Sequence, residues 1–295
     1  MPFENILVTG SDGQLGLCLR QVFGERPLQG KIIFTDVNEL DITNEKAVLD
    51  FAQEQEIGFI VNLAAYTAVD KAESDIMKAF KINTIGVENL VKAAQLNHAF
   101  LIQISTDYVF GGESENRHTP FLPDEPTHPV SVYGSSKALA EEIICERLER
   151  AAIIRTAWLY SPYCKNFFKT MLQLGETKPE LKVVADQIGS PTYAMDLARA
   201  IVTILEQSEK VTKPEIFHFT NESTGISWCE FAQKIMEIGQ RKCIVKPCTT
   251  AEYPTPAHRP AYSLLDLNKI KQCFDIQIPS WEKALQECYK IHQNL

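Results

Sequence analysis

The chain has 295 residues, of which 45% are hydrophobic and 23% charged, with a formal net charge of −9. That length supports one large α/β domain or two unequal ones, and the acidic balance argues against nucleic acid as the main partner while leaving room for a local pocket that takes a phosphorylated small molecule. No apolar run is long enough to span a bilayer, and MPFENILVTGSDGQLG enters a strand pattern with no signal core ahead of it, so a cytoplasmic protein without membrane contact is expected.

Short β-branched runs predict strands at 5–10 (NILVTG), 31–36 (KIIFTD), 58–65 (GFIVNLAA), 100–106 (FLIQIST) and 151–158 (AAIIRTAW). Their near-continuous apolar character suits strands buried on both faces of a parallel sheet. A helical pattern fills 76–97 between two of them. The alternation predicts βαβ units and an α/β, Rossmann-type doubly wound parallel sheet. Further on, a short strand opens KVVADQIG, a turn follows at Gly189 and Pro191, and a helix of about four turns comes next. A strand at 215–220 and a helix at 227–240 follow, and prolines 247, 254, 256 and 260 predict loop. The expected division is a dinucleotide-binding domain at 1–160, with 190–222 returning to it, and a smaller C-terminal substrate-binding lobe from 161–189 and 223–295. The eight cysteines form no CxxC pair and read as small hydrophobes rather than disulfides or metal ligands.

Three glycines, Gly10, Gly13 and Gly16, follow the first strand with GxxGxxG spacing and enclose Gln14 and Leu15. Glycine allows positive φ and close backbone approach, so this turn can meet a pyrophosphate at a helix N-terminus. Its place at the first βα junction is the context that a dinucleotide fingerprint requires. Asp36 ends the second strand, where an acid can hydrogen-bond the adenosine ribose. No arginine follows it directly, which favours NADH on charge grounds and leaves NADPH open. Asp36 reads equally as a turn residue or helix cap.

Tyr133 lies four residues before Lys137, one turn apart on a predicted helix. A phenol with a reference pKa of about 10 needs help to act near neutral pH, and a lysine ammonium supplies it. Ser105 and Thr106 end the fourth strand, on the side where open α/β sheets bind ligands. Each feature has an ordinary reading: a tight turn, a solvated Lys137, a core Tyr133, a strand-capping Thr106. Their joint occurrence in this order points to hydride transfer.

The order GxxGxxG, Ser/Thr, Tyr-x-x-x-Lys resembles the extended short-chain dehydrogenase/reductase superfamily. The segments NLAAYTAVDKAES, STDYVFGG, YGSSKALAE, IIRTAWLYSP, NFFKTML, VVADQIGSPTYAMDLA and HRPAYSLLD are similar to the dTDP-4-dehydrorhamnose reductase family over nearly the whole chain. The resemblance implies reduction of dTDP-4-dehydro-β-L-rhamnose by NADPH or NADH, the last step towards the activated rhamnose of bacterial surface polysaccharides such as O-antigen. It implies Tyr133 as proton donor, Lys137 as its tuner and ribose ligand, and Thr106 on the carbonyl oxygen or the tyrosine hydroxyl. It also implies cofactor contacts from Asp41, Ile42, Ala64, Ala65, Tyr66, Thr67 and Ile104, and substrate contacts from Asp107, Tyr108, Trp158 and Arg259. Dehydratases of the superfamily follow the threonine with Asp-Glu, whereas Asp107 and Tyr108 stand here, as suits a reductase. Trp158 reads otherwise as a core residue, and Arg259 as a surface arginine.

The stretch from Thr106 to Tyr133 is a few residues longer than usual in the family, with the insertion expected in GGESENRHTPF. Some members dimerise through magnesium held by a glutamate two residues after the third glycine. Cys18 stands there, so no metal is expected, and monomer or homodimer is left open. The alternatives are a related sugar-nucleotide 4-ketoreductase or epimerase, and a non-catalytic reductase-like dinucleotide-binding regulatory subunit. Intact Thr106, Tyr133 and Lys137 argue against the last.

Overall fold

Successive residues of a strand leave on opposite faces of a sheet. Ile6 and Val8 accordingly enter one apolar cluster and Leu7 another, and Ile102 and Leu101 divide the same way. Two cores on two faces of one sheet are the consequence. A computed structural model describes residues 5–113 and 117–295. Chain order begins β1 (Asn5–Thr9), α1 (Gln14–Glu25), β2 (Ile32–Thr35), α2 (Glu45–Glu54), β3 (Ile57–Asn62), α3 (Val69–Ala72) and α4 (Ile76–Phe80). It continues with α5 (Gly86–Asn97), β4 (Phe100–Thr106), α6 (Val132–Arg147), β5 (Ala151–Thr156), β6 (Leu159–Tyr160), α7 (Phe167–Thr177), β7 (Glu180–Val184), β8 (Ile188–Gly189) and β9 (Thr192–Tyr193). It ends with α8 (Ala194–Glu206), β10 (Pro214–His218), β11 (Ile226–Ser227), α9 (Trp228–Ile238), β12 (Ile244–Cys248), α10 (Asn268–Phe274) and α11 (Trp281–His292).

Six strands form a parallel sheet in the order β10-β5-β4-β3-β1-β2. Helices α1 and α8 cover one face, and α2, α5 and α6 the other. This is the doubly wound α/β architecture read from the sequence. The strand order reverses between β1 and β3, which opens a crevice at their carboxyl ends. In the second half, β12 pairs with β7 and β11 with β8, apart from the main sheet.

Five of the described helices start on a polar cap: Asn44 for α2, Ser131 for α6, Asn166 for α7, Ser227 for α9 and Ser280 for α11 each accept a backbone N–H. Helix α1 starts on Gly13 with no side-chain cap. Two expectations change. The helix expected over 76–97 is interrupted by a π-turn at Lys81–Ile85 between α4 and α5. Pro247, expected in loop, lies in β12 opposite Val183, where a two-stranded pair leaves its missing N–H at no cost to a second neighbour. The expected insertion GGESENRHTPF lies partly outside the described residues.

Candidate active site

The glycine loop is shaped by what surrounds it. Gly10 has φ +64°, and a Cβ there would lie 2.6 Å from Ala64 Cα and N, in the loop after β3. A Cβ on Gly16 would lie 2.3 Å from Ser11 O. The loops after β1 and β3 therefore touch at the point where the sheet reverses direction. With no side chain capping α1, its first N–H groups are left for a ligand, and the helix dipole favours an anion there. Gln14 donates to Leu159 O at 3.2 Å and so ties this loop to β6.

The crevice is a cavity of about 840 Å³. Of the residues expected at the site, it is lined by Gly10, Gly13, Gln14, Leu15, Gly16, Asp36, Asp41, Ile42, Ala64, Ala65, Thr67, Ile104, Thr106, Asp107, Tyr108, Tyr133, Lys137 and Trp158. Two others stand apart from its lining. The Tyr66 ring packs with Ala72 and Ala79, and its hydroxyl donates to Asp75 at 3.3 Å. Arg259 makes a forked ion pair with Asp70 at 2.9 and 2.8 Å, joining α3 to the proline-rich loop and holding the Asp70 carboxyl below its ordinary range.

At the adenosine end, Asp36 is already engaged. The Asp12 N–H donates to its Oδ2 at 3.0 Å, and the Val37 N–H to its Oδ1 at 2.8 Å. A cation that the local sequence does not announce approaches the same corner from α1. Arg20 bonds Ser11 Oγ at 2.7 Å and Asp12 Oδ1 at 3.3 Å, with its guanidinium 4.1 Å from the Phe34 ring centroid.

At the other end, Ser131 caps α6 by accepting the Gly134 N–H at 3.1 Å, which sets Tyr133 and Lys137 in the first two turns. Lys137 is 2% exposed, and its ammonium donates to Ile104 O at 2.7 Å. Burial brings its pKa down to about 8, against a smaller upward pull from Glu141. Burial raises Tyr133 to about 12, partly offset by hydrogen bonding with Thr106. Asp107 is pushed up to about 6 by burial, although Ser263 and Thr106 both hydrogen-bond its carboxyl. The Thr106 hydroxyl donates to Asp107 Oδ1 at 3.0 Å. Tyr108 packs edge-on to Tyr133 with ring centroids 5.5 Å apart.

Trp158 lines the cavity with φ +49°, a costly backbone for an indole. Its ring stacks on Trp228 at 3.7 Å and 15°, and a Cβ on Gly189 would come within 2.9 Å of it.

Several contributors carry no motif. Asn83, in the π-turn, accepts the Tyr66 N–H at 2.7 Å, donates to Tyr66 O at 3.1 Å and to Ser136 Oγ at 3.0 Å. It fastens the loop after β3 to α6. Val69, Lys78 and Ile82 also line the cavity. Nothing in the periodicity of KINTIG distinguishes Asn83 from a solvated helix residue. Cys18 is buried in the core. Among the described residues, no group of three or more His, Cys, Asp or Glu is placed to hold a metal ion.

Residues 4–294 match the family model for the RmlD substrate binding domain. A dTDP-4-dehydrorhamnose reductase of Aggregatibacter actinomycetemcomitans is 39% identical over 289 residues, covering 95% of this chain and 97% of that one. Among solved structures, a dTDP-4-dehydrorhamnose reductase from Clostridium acetobutylicum superposes with a TM-score of 0.91 at 39% identity, over 98% of this chain and 99% of that one. The Bacillus anthracis enzyme, in complex with NADP, also superposes with a TM-score of 0.91, at 38% identity and the same coverage.

Proposed function

This chain belongs to the dTDP-4-dehydrorhamnose reductase family, and from that premise we propose that it reduces dTDP-4-dehydro-β-L-rhamnose to dTDP-L-rhamnose with NADPH or NADH. The observation that carries the reading is one cavity with an uncapped helix behind a glycine loop at one end and Thr106, Tyr133 and Lys137 at the other. The glycine loop fits a dinucleotide, because Gly10 and Gly16 let it pack against backbone where a Cβ would collide, and Gly13 opens the uncapped end of α1 towards the cavity.

When bound, the reduced nicotinamide supplies the hydride. Tyr133 delivers its phenolic proton to the oxygen of the sugar C4 carbonyl as negative charge builds there. For this step the Thr106 hydroxyl turns its one proton from Asp107 to the phenol oxygen, where it orients the phenol and shares the developing charge. Lys137, largely an ammonium below about pH 8, provides the positive field and a donor for a ribose hydroxyl. Asp107 and Tyr108 bound the sugar side, with the Trp158 indole offering a flat apolar wall to a deoxysugar. General acid catalysis of this kind contributes roughly 10²–10⁴-fold, with oriented dipoles supplying more.

The lobe of 161–189 and 223–295 is read as the substrate-side unit, and Arg259 as a contact at its rim. A cytoplasmic protein, as a monomer or homodimer, suits nucleotide substrates and eight unpaired cysteines. Purified protein incubated with dTDP-4-dehydrorhamnose and either cofactor is expected to consume nicotinamide absorbance and form dTDP-rhamnose. No turnover with that sugar, but turnover with a GDP-linked 4-ketosugar, would move the assignment to a related reductase.

A further inference from the structure

A buried ion pair behind the cavity takes no part in the reaction as assigned. Glu141 is 3% exposed and Arg155 1%. Arg155 Nε lies 3.0 and 3.1 Å from the two Glu141 carboxylate oxygens, and its Nη2 lies 2.6 Å from Oε2. Ser105 Oγ donates to Glu141 Oε1 at 2.5 Å, and Arg155 Nη1 to Pro123 O at 3.3 Å. Stability is a weak reason for such a pair, since well-packed apolar residues usually serve as well or better.

Its position supplies a stronger one. Tyr133, Lys137 and Glu141 recur every fourth residue along one face of α6. Two neighbours on β4 bind that face: Ile104 O takes the Lys137 ammonium, and the Ser105 hydroxyl holds Glu141. Thr106 is the next residue. Resting on the function proposed above, we propose that Glu141, held by Arg155, is a positioning residue for Lys137: it ties the end of β4 to α6 and keeps an anion beside the buried ammonium.

Glu141 is the charged neighbour that supports the ionised form of Lys137 against burial. The other titratable groups around α6 are engaged or turned outward. Asp107 is held by Ser263 and Thr106. On α3, Asp70 pairs with Arg259 and Lys71 is exposed; Lys81 in the π-turn is exposed too, and Lys78 on α4 is a solvent-exposed residue on the cavity wall. Glu88 on α5 pairs with Arg147, and Glu215 on β10 with Lys213 and Lys269. His218 on β10 is kept neutral by burial and by Arg155. Glu142 and Glu146, on α6 itself, are exposed.

The test follows the Lys137 side chain by carbon-13 NMR of lysine-labelled protein across pH, with Lys137→Met identifying the resonance. Glu141→Gln is expected to lower the titration by about one pH unit, as loss of a close opposite charge does. That variant leaves Arg155 unpaired and risks misfolding, so E141Q/R155M is measured as well. It carries no unpaired buried charge and is expected to fold and still titrate below wild type, by less than the single variant. A Lys137 titration unmoved in the folded double variant overturns the proposal. In turnover assays the alkaline limb of kcat/KM moves down with the titration. A wild type that reduces no ketosugar defeats the functional reading alone, because the NMR titration decides this proposal independently.

Discussion

The two ends of the cavity are built on opposite principles. The glycine end works through backbone and missing side chains: an uncapped helix, three glycines, and carboxylates near water whose bonds go to the chain's own N–H groups. The Tyr133 end works through buried side chains whose ionisation is displaced by burial, with Tyr133 up, Asp107 up and Lys137 down. The contrast teaches that binding and chemistry are sensitive to different perturbations. Shape governs the first, and local dielectric governs the second.

Substitutions that keep shape and change ionisation probe this division most strongly. Tyr133→Phe is expected to lower kcat by roughly 10²–10⁴-fold while cofactor affinity, read by nicotinamide fluorescence, changes little. Equal losses in both would erase the distinction between the two ends.

Asp107→Asn tests the cost of displaced ionisation. Burial lifts the folded carboxyl to about 6, above the ordinary aspartate value of about 3.9, so the native state holds its proton longer than the unfolded chain. Stability from this group therefore falls as pH rises through that window, and the full penalty is present above it. The asparagine variant should be more stable than wild type at about pH 8, by ~3 kcal/mol. The gain should shrink as pH is lowered through about 6. Thermal unfolding of both proteins across pH checks this, and a difference independent of pH would contradict it.

Gly16→Ala perturbs shape alone. Its Cβ would meet Ser11 O at 2.3 Å, and relieving such a clash costs about 2 kcal/mol. Weakened cofactor binding is the expected result, measured by fluorescence titration, with the Tyr133 end unaltered. The smallest effect belongs to the adenosine corner. Asp36→Ala should raise NADPH affinity relative to NADH by about tenfold, since a 2′-phosphate would no longer face that carboxylate. Arg20→Ala should move the ratio the other way.

Much of the nucleotide half was legible because its signals are short-range. Apolar runs at 5–10 and 100–106 mark doubly buried strands, and GxxGxxG and Tyr133-x-x-x-Lys137 are spacings within one turn or helix. The interruption at Lys81–Ile85 leaves no sequence signal because a π-turn keeps the apolar pattern of the helix around it. Pro247 predicts loop but forms strand, because a proline in the interior of a sheet is excluded whereas one in a two-stranded pair is tolerated. The family resemblance puts Tyr66 at the cofactor with its neighbours, but Asn83 holds its backbone and its ring turns into a separate cluster.

The sequence by itself determined the parallel doubly wound sheet, the place of the glycine loop and the helical spacing of Tyr133 and Lys137, because each depends on residues close together in the chain. Only the tertiary structure decided what those groups meet: Ile104 O on the Lys137 ammonium, Arg155 on Glu141, Arg20 beside Asp12, and Trp228 under Trp158. These partners come from separate elements, many of them far apart in the chain. What fixes them is packing density and the need to satisfy buried polar groups, constraints that local sequence patterning does not encode.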